Sequence, residues 1–132
     1  MAARCLIVDD SATFLVAARA LLEGEGITVV GVATTGAEAL ARTVELRPDV
    51  VLIDIGLGSE SGFTLAQRIA EWAGGRPATE VPLLVMISTH AGEDFADLVA
   101  ASPAVGFLGK ADLSAQAVHD LIRQTEPNSS GR

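Results

Sequence analysis

Cationic side chains are scarce in this sequence. Nine lysines and arginines stand against seventeen aspartates and glutamates, a formal charge of −8, and a surface of that sign repels a phosphate backbone. Direct nucleic-acid binding is therefore not expected as the main activity. Cysteine is nearly absent. Cys5 is the single one, which excludes an intramolecular disulfide, and its place in the apolar run Cys5-Leu6-Ile7-Val8 reads as a small core residue in a reducing cytoplasm. Long apolar runs are also missing at the N-terminus, which reaches Asp9-Asp10 after too few apolar residues for a signal-peptide core or a membrane span. Nothing marks export or anchoring. Internal repeats and low-complexity tracts are absent, and 132 residues leave room for one domain.

What is present is apolar content of 49% against 20% charged residues, ample for one packed core. Five runs rich in branched residues recur, Cys5 to Val8, Ile27 to Val32, Val50 to Ile53, Leu83 to Ile87 and Ala104 to Leu108, and each reads as a buried strand. Between them the spacing is helical. The first helix places Leu15, Ala18, Leu21 and Leu22 on its inner face, and the second places Ala37, Leu40, Ala41 and Val44. Thr35 with Glu38 forms a capping box for the second helix, which stops at Arg47-Pro48. A third helix is expected from about Phe63 to Trp72, a fourth carries Phe95, Leu98 and Val99, and a fifth carries Val118, Leu121 and Ile122. Strand and helix in alternation imply a doubly wound α/β fold, a five-stranded parallel sheet with helices on both faces. The folded domain is expected over residues 1–124. The polar stretch 125–132 has no apolar periodicity to bury and reads as a disordered tail.

The informative pattern is what closes each strand: Asp9-Asp10 after the first, Asp54 after the third, Ser88 after the fourth, Lys110 after the fifth. Parallel strands all point their carboxyl ends the same way, so these residues converge on one crevice. Crowded carboxylates repel one another, and a hard divalent cation relieves them; Mg²⁺, or Mn²⁺, suits such oxygen ligands better than zinc. With the metal offsetting charge, Asp54 is the best-placed nucleophile toward a phosphoryl group, Lys110 neutralises the transferring oxygens, and Ser88 can donate to a phosphoryl oxygen once one is present. Taken singly the signals are weak. An acidic pair at a helix start is favoured by the helix dipole alone, and a lone lysine or serine is ordinary surface.

The runs Leu6-Ile7-Val8-Asp9-Asp10-Ser11, Leu52-Ile53-Asp54-Ile55 and Gly106-Phe107-Leu108-Gly109-Lys110, with Ser88 and Gly62 at their spacings, resemble the response-regulator receiver family of two-component signalling over nearly the whole chain. The resemblance implies a flavodoxin-like sheet of strand order 2-1-3-4-5. It implies that Asp10 and Asp54 bind Mg²⁺ directly, with Asp9 acting through water and the Gly56 carbonyl as a further ligand. It makes Asp54 the phosphoacceptor for a sensor histidine kinase or phosphotransfer protein, with Lys110 and Ser88 at the reacting group. Ser88 and Phe107 become a coupled switch that remodels the fourth helix, fifth strand and fifth helix, a face that meets a downstream protein or a second copy. Kinase choice would lie on the first helix around Thr13, Val16 and Ala17. Gly56, Thr89 and His90 would tune access of donors and water. With no output domain following, the resemblance is to the stand-alone type.

Three positions depart from the family pattern. Gly58 replaces a common proline and predicts a looser loop over 56–61. Ala111 replaces a proline after the lysine, so a trans bond is expected there. Thr89 is larger than the usual alanine or glycine and narrows the approach to Asp54. Other readings compete. A haloacid-dehalogenase-type phosphatase would need an acid two residues past its nucleophile, where Gly56 stands, so the general acid and base is missing. A phosphorylation-independent interaction module would usually have lost the acidic pair, the acceptor or the lysine. In a flavodoxin-like electron carrier, Asp9-Asp10-Ser11 would repel the flavin phosphate.

Overall fold

The computed structural model describes residues 3–58, 60–77, 80–89 and 95–125. In chain order it contains β1 (Arg4–Val8), α1 (Ala12–Gly24), β2 (Thr28–Ala33), α2 (Gly36–Leu46) and β3 (Val50–Asp54). Two short strands follow, β4 (Gly56–Leu57) and β5 (Glu60–Ser61), then α3 (Gly62–Ala73), β6 (Leu83–Ser88), α4 (Ala96–Ala100), β7 (Gly106–Gly109), a 3-10 turn over Lys110–Asp112, and α5 (Ala115–Thr125). The main sheet has the order β2-β1-β3-β6-β7, and every pairing in it is parallel. Counted over its own five strands, this is the expected 2-1-3-4-5.

Side-chain alternation along the strands divides the core in two. Cys5, Ile7, Val50 and Leu52 face one layer with Leu15, Leu22 and Val118 of α1 and α5. Leu6, Val8, Val51 and Ile53 face the other with Ala39, Leu65 and Ile69 of α2 and α3. All residues of β3 are buried, which explains why the central strand reads as an unbroken apolar run rather than an alternating one.

Helix starts follow the local chemistry. Ser11 and Ser61 cap α1 and α3 by accepting from the backbone N–H groups of Phe14 and Phe63. Thr35 caps α2 by accepting from Glu38 N–H at 3.1 Å, while the Glu38 carboxylate reaches one residue further back than a standard capping box, to Thr34 N–H at 2.8 Å. The α2 helix ends with Arg47 in the left-handed region, φ 50°. Arg4 of β1 holds that end, its guanidinium donating to the carbonyls of Arg47 at 2.7 Å and Leu46 at 2.8 Å.

Several expected details are corrected. The buried face of α2 is Gly36, Ala39 and Thr43, with Leu40 half-buried, whereas Ala37, Ala41 and Val44 are exposed. The threonine escapes an apolar pattern because its hydroxyl donates to Ala39 O at 2.8 Å and so carries no unmet polarity into the core. Leu21 of α1 is exposed rather than inner. Helix α4 is a short helix with no fully buried residue, and Phe95 precedes it as the cap residue. Strand β7 begins at Gly106, two residues later than the apolar run suggests. The loop over 56–61 contains the antiparallel β4–β5 pair, Gly56 opposite Ser61 and Leu57 opposite Glu60. Helix α5 reaches Thr125, whose hydroxyl donates to Ile122 O at 2.9 Å; residues 126–132 lie outside the described residues. Among the described residues no helix is long and apolar enough to cross a membrane.

Candidate active site

Strand register brings the strand-end residues together. Val8 pairs with Ile53, Asp54 with Ile87, and Ser88 with Gly109, so Asp9, Asp54, Ser88 and Lys110 all emerge at one edge. The carboxylates of Asp9, Asp10 and Asp54 each offer an oxygen, and these oxygens lie within 4.8 Å of one another. Asp9 is fully buried, Asp54 is 8% exposed and Ser88 4%, while Asp10 is exposed.

The buried Asp9 divides its two oxygens. Oδ1 accepts from Ser11 N–H at 2.8 Å, which fixes the β1–α1 turn. Oδ2 accepts no well-formed hydrogen bond and faces the Lys110 ammonium at 2.5 Å. The same ammonium lies 3.7 Å from Asp54 Oδ2 and 4.4 Å from the centre of the Phe14 ring. A single cation thus serves two buried carboxylates and leans on an aromatic face. The compensation is incomplete. Burial and the neighbouring Asp9 charge push the Asp54 carboxyl up to about 6, against the opposing pull of Lys110 and of a hydrogen bond from the Gly56 backbone.

This donor set fits Mg²⁺ or Mn²⁺. It is all oxygen and contains neither histidine nor cysteine among the clustered residues, and burial together with the neighbouring Asp9 charge raises the Asp54 carboxyl. A hard divalent cation prefers such ligands and would offset their crowded negative charge.

Two glycines shape the loop behind the site. A Cβ at Gly62 would stand 2.1 Å from the Asp54 carbonyl oxygen, and the Gly62 N–H donates to Ile55 O at 2.7 Å, so α3 starts in direct backbone contact with the end of β3. Gly58 has φ +62°, a conformation closed to proline. A proline at this position would not fit the backbone that the loop adopts here. The Lys110–Ala111 bond is trans, as expected.

A cleft of about 330 Å³ opens over Asp54, bordered by Ile55, Gly56, Ser88, Thr89, Phe95 and Lys110. Thr89 is exposed at its edge. Phe107 stands one layer behind, half-buried against the β3–α3 core, with its ring centre 6.5 Å from that of Phe95. His90 lies outside the described residues. Sequence reading missed Phe14 and Phe95 as site residues. Phe14 lies in the first turn of α1, four residues after Asp10, and that spacing was its available signal; Phe95 was read as helix packing.

A family model for the response regulator receiver domain matches residues 5–123. The chain belongs to this receiver family. The receiver is 31% identical over 132 residues to a protein-glutamate methylesterase/protein-glutamine glutaminase of Archaeoglobus fulgidus, an alignment covering 96% of this chain and 36% of that protein. It thus spans about a third of that relative's length. Among solved structures it resembles the response regulator domain of Thermotoga maritima CheB, at TM-score 0.75 and 27% identity over 94% of this chain and 96% of that one. It also resembles a LuxR-family two-component response regulator from Aurantimonas sp. SI85-9A1, at TM-score 0.81 and 25% identity over 99% and 94% of the two chains. Receiver domains of two-component systems bind Mg²⁺ at an acidic pocket, and in this receiver Asp9, Asp10 and Asp54 form an acidic cluster that could hold a metal ion.

Proposed function

We propose that this receiver is a Mg²⁺-dependent phosphoacceptor switch in which Asp54 takes a phosphoryl group from a sensor histidine kinase or phosphotransfer protein. The observation that supports it most is the meeting of Asp54 with Asp9, Asp10, Lys110 and Ser88 beside an open cleft. Asp54 is the one member of the acidic trio that borders that cleft while reached by Lys110 at 3.7 Å.

In the proposed reaction an Asp54 carboxylate oxygen forms a bond to phosphorus as the donor's leaving group departs with its electron pair. Asp54 must be ionised to attack, which its carboxyl near 6 permits at neutral pH. Lys110 balances charge on the transferred oxygens, and the Ser88 hydroxyl donates to one of them. A bound Mg²⁺, held by Asp10, Asp54 and the Gly56 carbonyl with Asp9 acting through water, would offset the phosphoryl charge. Movement of Ser88 toward the phosphoryl group frees space for Phe107, and the change is read on the α4, β7 and α5 face by a downstream protein or a second copy. Thr13, Val16 and Ala17 are exposed on α1, where the phosphate donor would dock. Gly56, Thr89 and His90 would tune access. The receiver would act in the cytoplasm, without direct nucleic-acid binding and without turnover of its own beyond slow loss of phosphate.

Intact mass after incubation with a small acyl phosphate tests this reading. One phosphoryl adduct that needs Mg²⁺ and is absent from Asp54→Ala is the expected result. No adduct from the acyl phosphate or from a panel of histidine kinases would overturn it in favour of a phosphorylation-independent module.

A further inference from the structure

The cleft over Asp54 is lined by polar and apolar groups together, and its two large apolar side chains are Ile55, next to Asp54 in the chain, and Phe95. This ring comes from the residue just before α4, the cap position, where it makes no capping hydrogen bond. Helix caps are normally serine, threonine, aspartate or asparagine, so the phenylalanine forgoes a cap and spends its side chain elsewhere. It is half-buried and pairs with Phe107, ring centres 6.5 Å apart and planes inclined by 33°. Phe107 in turn packs on the core beneath α3. The Phe95 ring is therefore backed by the core on one side and faces the reacting carboxylate's cleft on the other.

We propose that Phe95 is the water-excluding wall of the aspartyl-phosphate site, supported by Phe107, and that this pair sets how long the phosphoryl group survives. The proposal rests on Asp54 being the phosphoacceptor. Loss of the group is hydrolysis: a water oxygen bonds to phosphorus as the bond from phosphorus to the Asp54 oxygen breaks. The electron pair stays on the carboxylate, and the water's protons leave on dihydrogen phosphate. That water must approach from the cleft side, opposite the Asp54 oxygen, and an apolar ring lining the cleft removes water from the approach. A Phe107 ring moving toward Ser88 moves toward the cleft and presses on the tilted Phe95 ring beside it. The wall thus tightens in the phosphorylated state.

The test measures the lifetime of the phosphoryl adduct by intact mass after the donor is removed, with Mg²⁺ present. Phe95→Ser is the decisive variant, because it deletes the ring at a partly exposed position, and an unchanged circular dichroism spectrum checks that the fold is retained. Its adduct should decay about fivefold faster or more, while Phe95→Leu, which keeps apolar bulk, stays within about twofold of the wild type. Phe107→Ala should also shorten the lifetime, and in the Phe95→Ser background it should add nothing further. Mg²⁺ affinity by calorimetry should be unchanged in Phe95→Ser. An unchanged lifetime in Phe95→Ser, or Phe107 and Phe95 effects that multiply, would overturn the proposal while leaving Asp54 as acceptor. A wild-type protein that forms no adduct would overturn the acceptor reading and this proposal together.

Discussion

Replacing Asp54 by asparagine should make the metal-free protein more stable at neutral pH, and by an amount that depends on pH. The carboxyl is lifted from its ordinary 3.8 to about 6 by burial and by the Asp9 charge. At 1.4 kcal/mol for each tenfold change in proton affinity, ionised Asp54 costs the fold about 3 kcal/mol. Below 3.8 the carboxyl is protonated in folded and unfolded chains alike, and the wild type bears no such cost. As pH rises from about 4 to 6 the unfolded chain ionises first, and the wild type loses this stability until the folded carboxyl also ionises. Asparagine has the same shape, carries no charge, and can still accept from the Gly56 N–H. The assay is urea unfolding in chelator, followed by fluorescence of Trp72, which packs against the core. At pH 8 the variant should be more stable by about 3 kcal/mol, or roughly 8–12 °C in melting temperature. At pH 4.5 most of that gap should be gone. A gap below about 1 kcal/mol at pH 8, or one equal at both pH values, would refute the placement of an undercompensated charge at Asp54.

Removing the Lys110 cation that sits 2.5 Å from Asp9 should strengthen Mg²⁺ binding in Lys110→Ala about 3–10-fold by calorimetry while slowing phosphorylation; weaker binding would show that lysine and metal do not compete. Gly62→Ala would set a methyl 2.1 Å from the Asp54 carbonyl oxygen, and urea titration should show a loss of about 3 kcal/mol or more, with weakened Mg²⁺ binding. Arg4→Met should cost about 1–2 kcal/mol by the same titration, since it removes the donors to the Arg47 and Leu46 carbonyls. The buried Cys5 thiol, pushed up to about 12 by its burial, should react with iodoacetamide only as the protein unfolds, so alkylation under native conditions at pH 8 would contradict its packing.

Most of the fold was legible because parallel strands buried on both faces must be nearly pure apolar runs, as in Val50–Asp54. The strand-end carboxylates and lysine were legible for a topological reason: parallel pairing delivers the residue after each run to the same edge. What escaped was decided by contacts that sequence spacing does not encode. Thr43 hides on the inner face of α2 because its hydroxyl bonds backward along the helix, so the apolar pattern was read one residue out of phase. The β4–β5 pair depends on Gly58 taking φ +62°, which glycine allows but does not announce. Phe95 looked like a packing residue of α4, and its place at the cleft follows from where that helix starts. The Lys110 contact with Phe14 joins residues from opposite ends of the chain, and neither betrays the other in sequence.

The central claim, that the phosphoryl group resides on Asp54, is tested most directly by chemical trapping. After phosphorylation in Mg²⁺, borohydride reduction converts an aspartyl phosphate to homoserine, and tandem mass spectrometry of the digest locates the altered residue. Homoserine at position 54 and at no other carboxylate is the predicted result. Homoserine at position 9 or 10, or a phosphoryl group that resists reduction and maps to a serine, threonine or histidine, would contradict the account.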